Sequence, residues 1–247
     1  MYKLIEKIKN KYWLQCILNS YSLMFFSLNN FFAICIATVT FFTPFVGLCG
    51  LFAIITTNGI AYTIGFNRDD IRIGLFGFNA LFLGMSMGYE FTFNKPFIIL
   101  FISSMLILLM ITVWLKGLLA NKNLPFLSFP FIISYWIVSI ASSHFDNILL
   151  DESHTYVFNE SIKNEASYFY QVVHSLDSMD IYPFILIFFK TLAGTFFQTS
   201  VLGGIIISVG LLYFSRISFS LSLIGFACAY FFYNLFGADV NDLDSNL

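Results

Sequence analysis

Charge is scarce in this chain, with 12 Lys and Arg and 14 Asp and Glu among 247 residues. So few ionisable groups cannot solvate a soluble globule that is 58% hydrophobic and carries 33 Phe, and no single core could hold that much apolar surface. Histidine is scarcer still: His144, His154 and His174 lie in or beside one polar stretch, among acids but with no regular ligand spacing, which reads as solvated loop rather than metal site. The four cysteines, Cys16, Cys35, Cys49 and Cys228, fall inside apolar stretches without paired spacing and read as small core residues, neither disulfides nor metal ligands. No phosphate-cradling glycine loop, nucleophile elbow or basic stripe is present, so nothing points to an enzyme, a cofactor or a nucleic-acid partner. Asp69-Asp70 reads as a loop and helix-start feature, not as an acid/base pair.

What the chain has instead is apolar length. Segments at about 13–27, 31–43, 46–64, 73–89, 97–116, 124–143, 183–198, 201–214 and 217–235 are apolar, and several approach the roughly 20 residues that a hydrocarbon core of about 30 Å demands of a helix. Lipid forbids unpaired backbone groups, so such runs predict helices and the fold class is an all-α polytopic membrane protein. Lys3, Lys7, Lys9 and Lys11 alternate with apolar residues ahead of the first segment. With no small-residue cleavage site following, they predict an interfacial amphipathic helix rather than a cleavable signal. Asp146, Asp151, Glu152, Glu160, Glu165, Asp177 and Asp180 against Lys163 make the stretch after Ser143 an acidic exposed linker. Three regions follow: 1–143, a linker over 144–182, and 183–247.

Basic residues orient the chain if residues 13–27 form a half-helix that enters and leaves on one side. The lysine cluster, Arg68 with Arg72, Lys116 with Lys122, and Arg216 then fall on the cytoplasmic face, and the acidic linker falls outside. Lys190, inside an apolar segment, reads as snorkelling to the interface. An internal repeat supports the half-helix. Ser22-Leu23-Met24-Phe25-Phe26-Ser27 resembles Ala193-Gly194-Thr195-Phe196-Phe197-Gln198, and Gly65-Phe66-Asn67-Arg68-Asp69-Asp70-Ile71 resembles Gly237-Ala238-Asp239-Val240-Asn241-Asp242-Leu243 after a slip of one residue. The first loop falls inside and its counterpart outside, so the two copies have inverted topology, a design whose sites lie at the repeat interface. The alternative is that two Phe-rich membrane segments look alike by composition.

These residues carry a family resemblance. Tyr21–Asn29, the loop Gly65–Ile71 followed by Gly74-Leu75-Phe76-Gly77-Phe78-Asn79 and later Gly84, and Leu124-Pro125-Phe126-Leu127-Ser128-Phe129-Pro130-Phe131 look like successive signatures of the urea transporter family. Leu124–Phe131, similar to the family's Leu-Pro-x-x-Thr-x-Pro-Phe, is the most specific of them. The resemblance implies a channel-like facilitator in a bilayer, by expectation a bacterial inner membrane. Each subunit would have two inverted repeats of five spans and a re-entrant half-helix, with a narrow central pore of aromatic faces and hydrogen-bond acceptors. It also implies homotrimers and no cofactor. Urea suits such a path, being planar and neutral with four N–H donors and one carbonyl acceptor.

Carried over by motif, the substrate path would comprise Phe25, Phe26 and Phe78 as a slot, Ser128 as the mid-pore hydroxyl, Phe131 beside it, and Phe196 and Phe197 as second-repeat counterparts. For each Phe, helix packing or lipid contact is the competing role, and for Ser128 it is a bond to its own helix backbone. Asn29 and Asn79, near segment starts, either cap backbone or line the route, and capping is favoured. Pro125 and Pro130 bracket a break in helix, tolerable at membrane depth only when buried in protein or lining a cavity.

Two departures qualify the resemblance. The family usually places Gln or Glu at the start of each re-entrant helix, where this chain has Leu23 and Gly194. Gln198, about one turn beyond Gly194, either partly substitutes or is a satisfied structural amide. An amide other than urea, or an ammonium-like solute, therefore stays open. The second departure is length: the counterpart of Leu75 is Leu247, so about 70 further residues with roughly three spans are expected by the measure of the first copy. A fragment or split gene product, an inactive truncated protein or accessory subunit, and self-assembly to complete a pore are the competing explanations.

Overall fold

The structure, a computed structural model, describes residues 2–122, 124–145, 183–198 and 200–236, and every described regular element is a helix or helical turn. Most of the acidic linker, including His154, His174 and Lys163, and the second loop Gly237–Leu243 lie outside the described residues. In chain order the helices are α1 (Tyr2–Ser22), α2 (Asn30–Thr40), α3 (Pro44–Ile64), α4 (Arg68–Ile73), α5 (Gly77–Glu90), α6 (Lys95–Ala120), α7 (Phe129–Ser142), α8 (Pro183–Gly194), α9 (Val201–Phe214) and α10 (Arg216–Leu235). Among the described residues α3, α6 and α10 are long and apolar enough to cross a membrane, and a fourth span results if α1 and α2, bent by 86° at their break, count as one.

The sequence predicts an interfacial helix followed by a separate half-helix, whereas α1 is one continuous helix of 21 residues. No Pro or Gly interrupts residues 2–22, so nothing in the backbone forces a break where the lysine pattern ends. The loop before Gly74 also contains a short helix. Asn67 Oδ1 accepts from Asp69 N at 2.9 Å, Asp69 and Asp70 sit in the first turn of α4, and Gly74 closes it in the left-handed region at φ +90°. Acids at a helix start and glycine at its end are the arrangement the helix dipole and sterics favour.

The chain divides into two compact units, Met1–Ala33 with Phe45–Tyr156, and Ile34–Pro44 with Val157–Leu247. In the first unit, glycines set how closely the helices approach. A Cβ on Gly74 would stand 2.6 Å from Ser20 N, one on Gly77 2.0 Å from Ser20 Oγ, and one on Gly84 2.4 Å from Ala53 Cβ and 2.6 Å from Cys49 O. The glycines of this motif thus let α5 lie against α1 on one side and α3 on the other. Small residues make that contact possible where lipid supplies no hydrophobic drive between helices. A core of Cys49, Ala53, Ala80, Leu83, Met87, Phe91, Phe97, Phe101, Met105, Leu108 and Val138 joins α3, α5, α6 and α7. At one end of this unit Tyr12 OH donates to Arg68 O at 2.8 Å, Arg68 lies 4.6 Å over the Tyr62 ring, and Lys116 pairs with Asp70. In the second unit Gly204 plays the corresponding part, since a Cβ there would stand 1.9 Å from Phe189 O between α8 and α9.

Gly84→Val should destabilise the protein by about 1–3 kcal/mol, the usual cost of overpacking. Gly59→Ala, with no atom within 4 Å of the added carbon, should be neutral or slightly stabilising. Thermal unfolding in detergent, followed by circular dichroism, separates the two.

Candidate functional site

Two helix endings, one in each unit, form apolar tips. At the end of α1, Leu23–Phe25 form a tight helical turn, Phe26 adopts φ 55°, Phe26 N donates to Leu23 O at 2.9 Å and Ser27 N to Ser22 O at 3.2 Å. At the end of α8, Phe197 adopts φ 57°, its N–H donates to Gly194 O at 2.9 Å and Gln198 N to Ala193 O at 3.3 Å. Both are paired-bond helix stops of the kind usually closed by glycine. They share the register of the sequence repeat residue for residue, Phe26 with Phe197 and Ser22 with Ala193. Beyond the first tip, Asn29 Oδ1 accepts from Phe31 N at 2.9 Å and Phe32 N at 3.4 Å, so Asn29 caps α2.

In the first unit the motifs meet around Phe78. Its ring is buried and stacks on Phe126 at 6.3 Å with 24° between planes, in a cluster with Leu115 that Leu23 and Met24 of the tip also touch. Phe25 and Phe26 do not face Phe78. Phe25 packs on Phe32 at 5.3 Å and 60°, and Phe26 is 70% exposed at the apex of the turn. The aromatic partner of Phe78 is therefore Phe126, from the same loop as Ser128.

The loop between α6 and α7 is irregular, with Leu127 in the left-handed region at φ 47°. Asn79, fully buried and inside α5, does not cap its helix. Its Nδ2 donates to Leu127 O at 3.2 Å, while Oδ1 has no hydrogen-bond partner. Ser128, half-buried, opens α7 without a side-chain cap bond, and Pro130 follows in the first turn, where a missing N–H is harmless. Pro125 is exposed and Pro130 buried. Phe131 lies farther along, stacked on Phe82 at 5.3 Å and 25° and tilted against Tyr135 at 6.0 Å.

In the second unit Phe196 is buried and Phe197 half-buried. Gln198 is buried with its groups engaged: Oε1 accepts from Thr43 Oγ1 at 2.8 Å, and Nε2 donates to Phe196 O at 3.3 Å and Thr40 O at 3.4 Å. Those bonds tie the tip to the end of α2. Lys190 is half-buried on α8.

Sequence reasoning missed Phe82 and Phe126, which face Phe131 and Phe78, and the pairing of Glu90 with Tyr135. The four-residue steps Phe78–Phe82 and Phe131–Tyr135, each one helical turn, were the available signal. Among the described residues the regular elements are all helices or helical turns, several of them of spanning length, and such a chain is a polytopic all-α membrane protein. This one belongs to the urea transporter family, whose model, described as Urea transporter, matches residues 14–247. No curated protein matches the chain.

Removing the Asn79 amide should free the Leu127 carbonyl. Asn79→Ala is expected to cost about 0.5–1.5 kcal/mol, the net worth of one hydrogen bond to an acceptor on an exposed residue, and to speed amide exchange across 124–131 while leaving α3 protected. Hydrogen-exchange mass spectrometry in detergent reads both.

Proposed function

We propose that the chain provides a path for facilitated diffusion of urea or a similar small neutral amide across a membrane. The observation that carries this reading is the match to the urea transporter family over residues 14–247, and the meeting of its motif residues at one place adds to it. The near-parallel faces of Phe78 and Phe126 suit a flat solute, and the Ser128 hydroxyl, two residues along the loop from Phe126 and free of a capping bond, offers both a donor and an acceptor. Apolar stacking with few polar contacts holds a solute weakly, as conduction requires. Phe196 and Phe197 play the corresponding part at the second tip. The path needs no cofactor, and copies assemble as trimers in keeping with the family resemblance.

The test is stopped-flow flux in proteoliposomes. Urea efflux should exceed that of empty liposomes, and Phe78→Ala and Ser128→Val should each lower it about tenfold, equivalent to roughly 1.4 kcal/mol of barrier. Efflux no faster than from empty liposomes would overturn the transport reading. Efflux unchanged by both substitutions would remove Phe78 and Ser128 from the path.

A further inference from the structure

Along α5, three side chains meet successive points of the chain that enters α7. Phe78 stacks on Phe126, Asn79 donates through Nδ2 to Leu127 O at 3.2 Å, and Phe82 stacks on Phe131. The amide of Asn79 therefore stands between two ring pairs whose planes diverge by only 24° and 25°. Its depth follows from the contacts with α3. A Cβ on Gly77 would lie 3.0 Å from Asn58 Nδ2 and one on Gly84 2.4 Å from Ala53 Cβ, so Asn79 is level with the stretch of α3 between Ala53 and Asn58. That stretch lies about 9 Å or more inside either end of α3, a helix of spanning length.

Only half of this amide is partnered. The nitrogen is the one end of it that can face a carbonyl, so Leu127 O fixes which way the group is turned. Oδ1 consequently points away from that carbonyl, and there it has no hydrogen-bond partner although Asn79 is fully buried. A tie between α5 and the loop needs the nitrogen alone and would leave the oxygen desolvated and unpaired. Thr57 Oγ1 and both polar side-chain atoms of Asn58 are likewise buried without partners at this level of α3. Polar groups at membrane depth are expensive and ordinarily face a polar route through the packed helices. Of these three residues, Asn79 is the one both held by a hydrogen bond and set between stacked rings.

Building on the transport reading above, we propose that Asn79 is a specificity-determining residue whose Oδ1 accepts a hydrogen bond from an N–H group of the neutral amide solute as it passes the ring pairs. The rings hold a flat face whatever its edge carries, and the buried oxygen reads the edge for a donor. A solute without a donor leaves Oδ1 unpaired and is disfavoured. One accepted hydrogen bond, made and broken without proton transfer, also lets the solute leave.

Urea and N,N-dimethylformamide test this, because both are planar neutral amides but dimethylformamide carries no N–H group. Efflux of each, above that of empty liposomes, is measured by stopped flow from proteoliposomes holding the full chain. Asn79→Leu should lower the urea to dimethylformamide ratio about tenfold. Asn79→Asp keeps an acceptor oxygen in either protonation form and should hold the ratio within about threefold. If Asn79→Leu slows both solutes equally or leaves both unchanged, or if Asn79→Asp lowers the ratio as far as Asn79→Leu does, the residue is only the loop's tie and the proposal is overturned. Should dimethylformamide never exceed the empty-liposome rate, urea efflux alone is the readout, and rescue by Asn79→Asp decides in the same way. A wild-type chain that passes no urea overturns the transport reading and this role with it. Circular dichroism and size-exclusion profiles identify a variant that fails to fold, and Asn79→Ala then carries the comparison in place of Asn79→Leu.

Discussion

Hydrocarbon offers backbone N–H and C=O groups no partner, and each place where this chain leaves the helix at depth has to satisfy them from within. The local chemistry follows from that requirement. At the first tip Ser27 Oγ accepts from Asn29 N at 3.0 Å, and Asn29 in turn accepts from the first amides of α2. Between α6 and α7, Asn79 reaches across to Leu127 O. At the second tip Gln198 donates to Phe196 O and Thr40 O, and Ser200 Oγ accepts from Gly203 N at 3.2 Å. Where regular helix stops, polar side chains thus stand in for the missing helical partners, and Phe126 of the candidate path lies in one of these interruptions.

Close approach is the second half of the arrangement. A loop held at depth must also exclude lipid, and Gly74, Gly77 and Gly84 allow α5 to sit directly on α1 and α3. This puts Phe78 within reach of Leu23 and Met24 at the tip. Bulkier residues at these three positions would separate the tip from the aromatic stack, so the glycines act through packing.

Much of this was legible in the sequence, and the remainder was hidden for physical reasons. Helices over 44–64, 95–120, 201–214 and 216–235 follow from apolar length, and the repeat between Ser22–Ser27 and Ala193–Gln198 reappears as two turns of matching geometry. The slot was harder to read. With 33 Phe, composition gives no clue to which rings face each other, and Phe25, adjacent in sequence to the tip residues beside Phe78, turns to Phe32 instead. Asn79 looked like a cap because it stands near a segment start, but its partner is 48 residues away. Gln198 shows a similar limit: a polar residue near a helix stop gives no sign of whether its amide will be consumed by neighbouring backbone. Long-range partners of single polar side chains leave no periodic trace.

The two left-handed phenylalanines have a consequence for engineering. A non-glycine residue in that conformation costs about 1–2 kcal/mol through the clash of its Cβ with the following carbonyl, and glycine would relieve it. Phe26 and Phe197 are therefore the positions where a designer seeking a hardier protein would first exchange a residue. Each exchange would also erase a ring from the apex of a tip, so in each unit the hardiness of the turn and the aromatic surface of its tip draw on the same side chain.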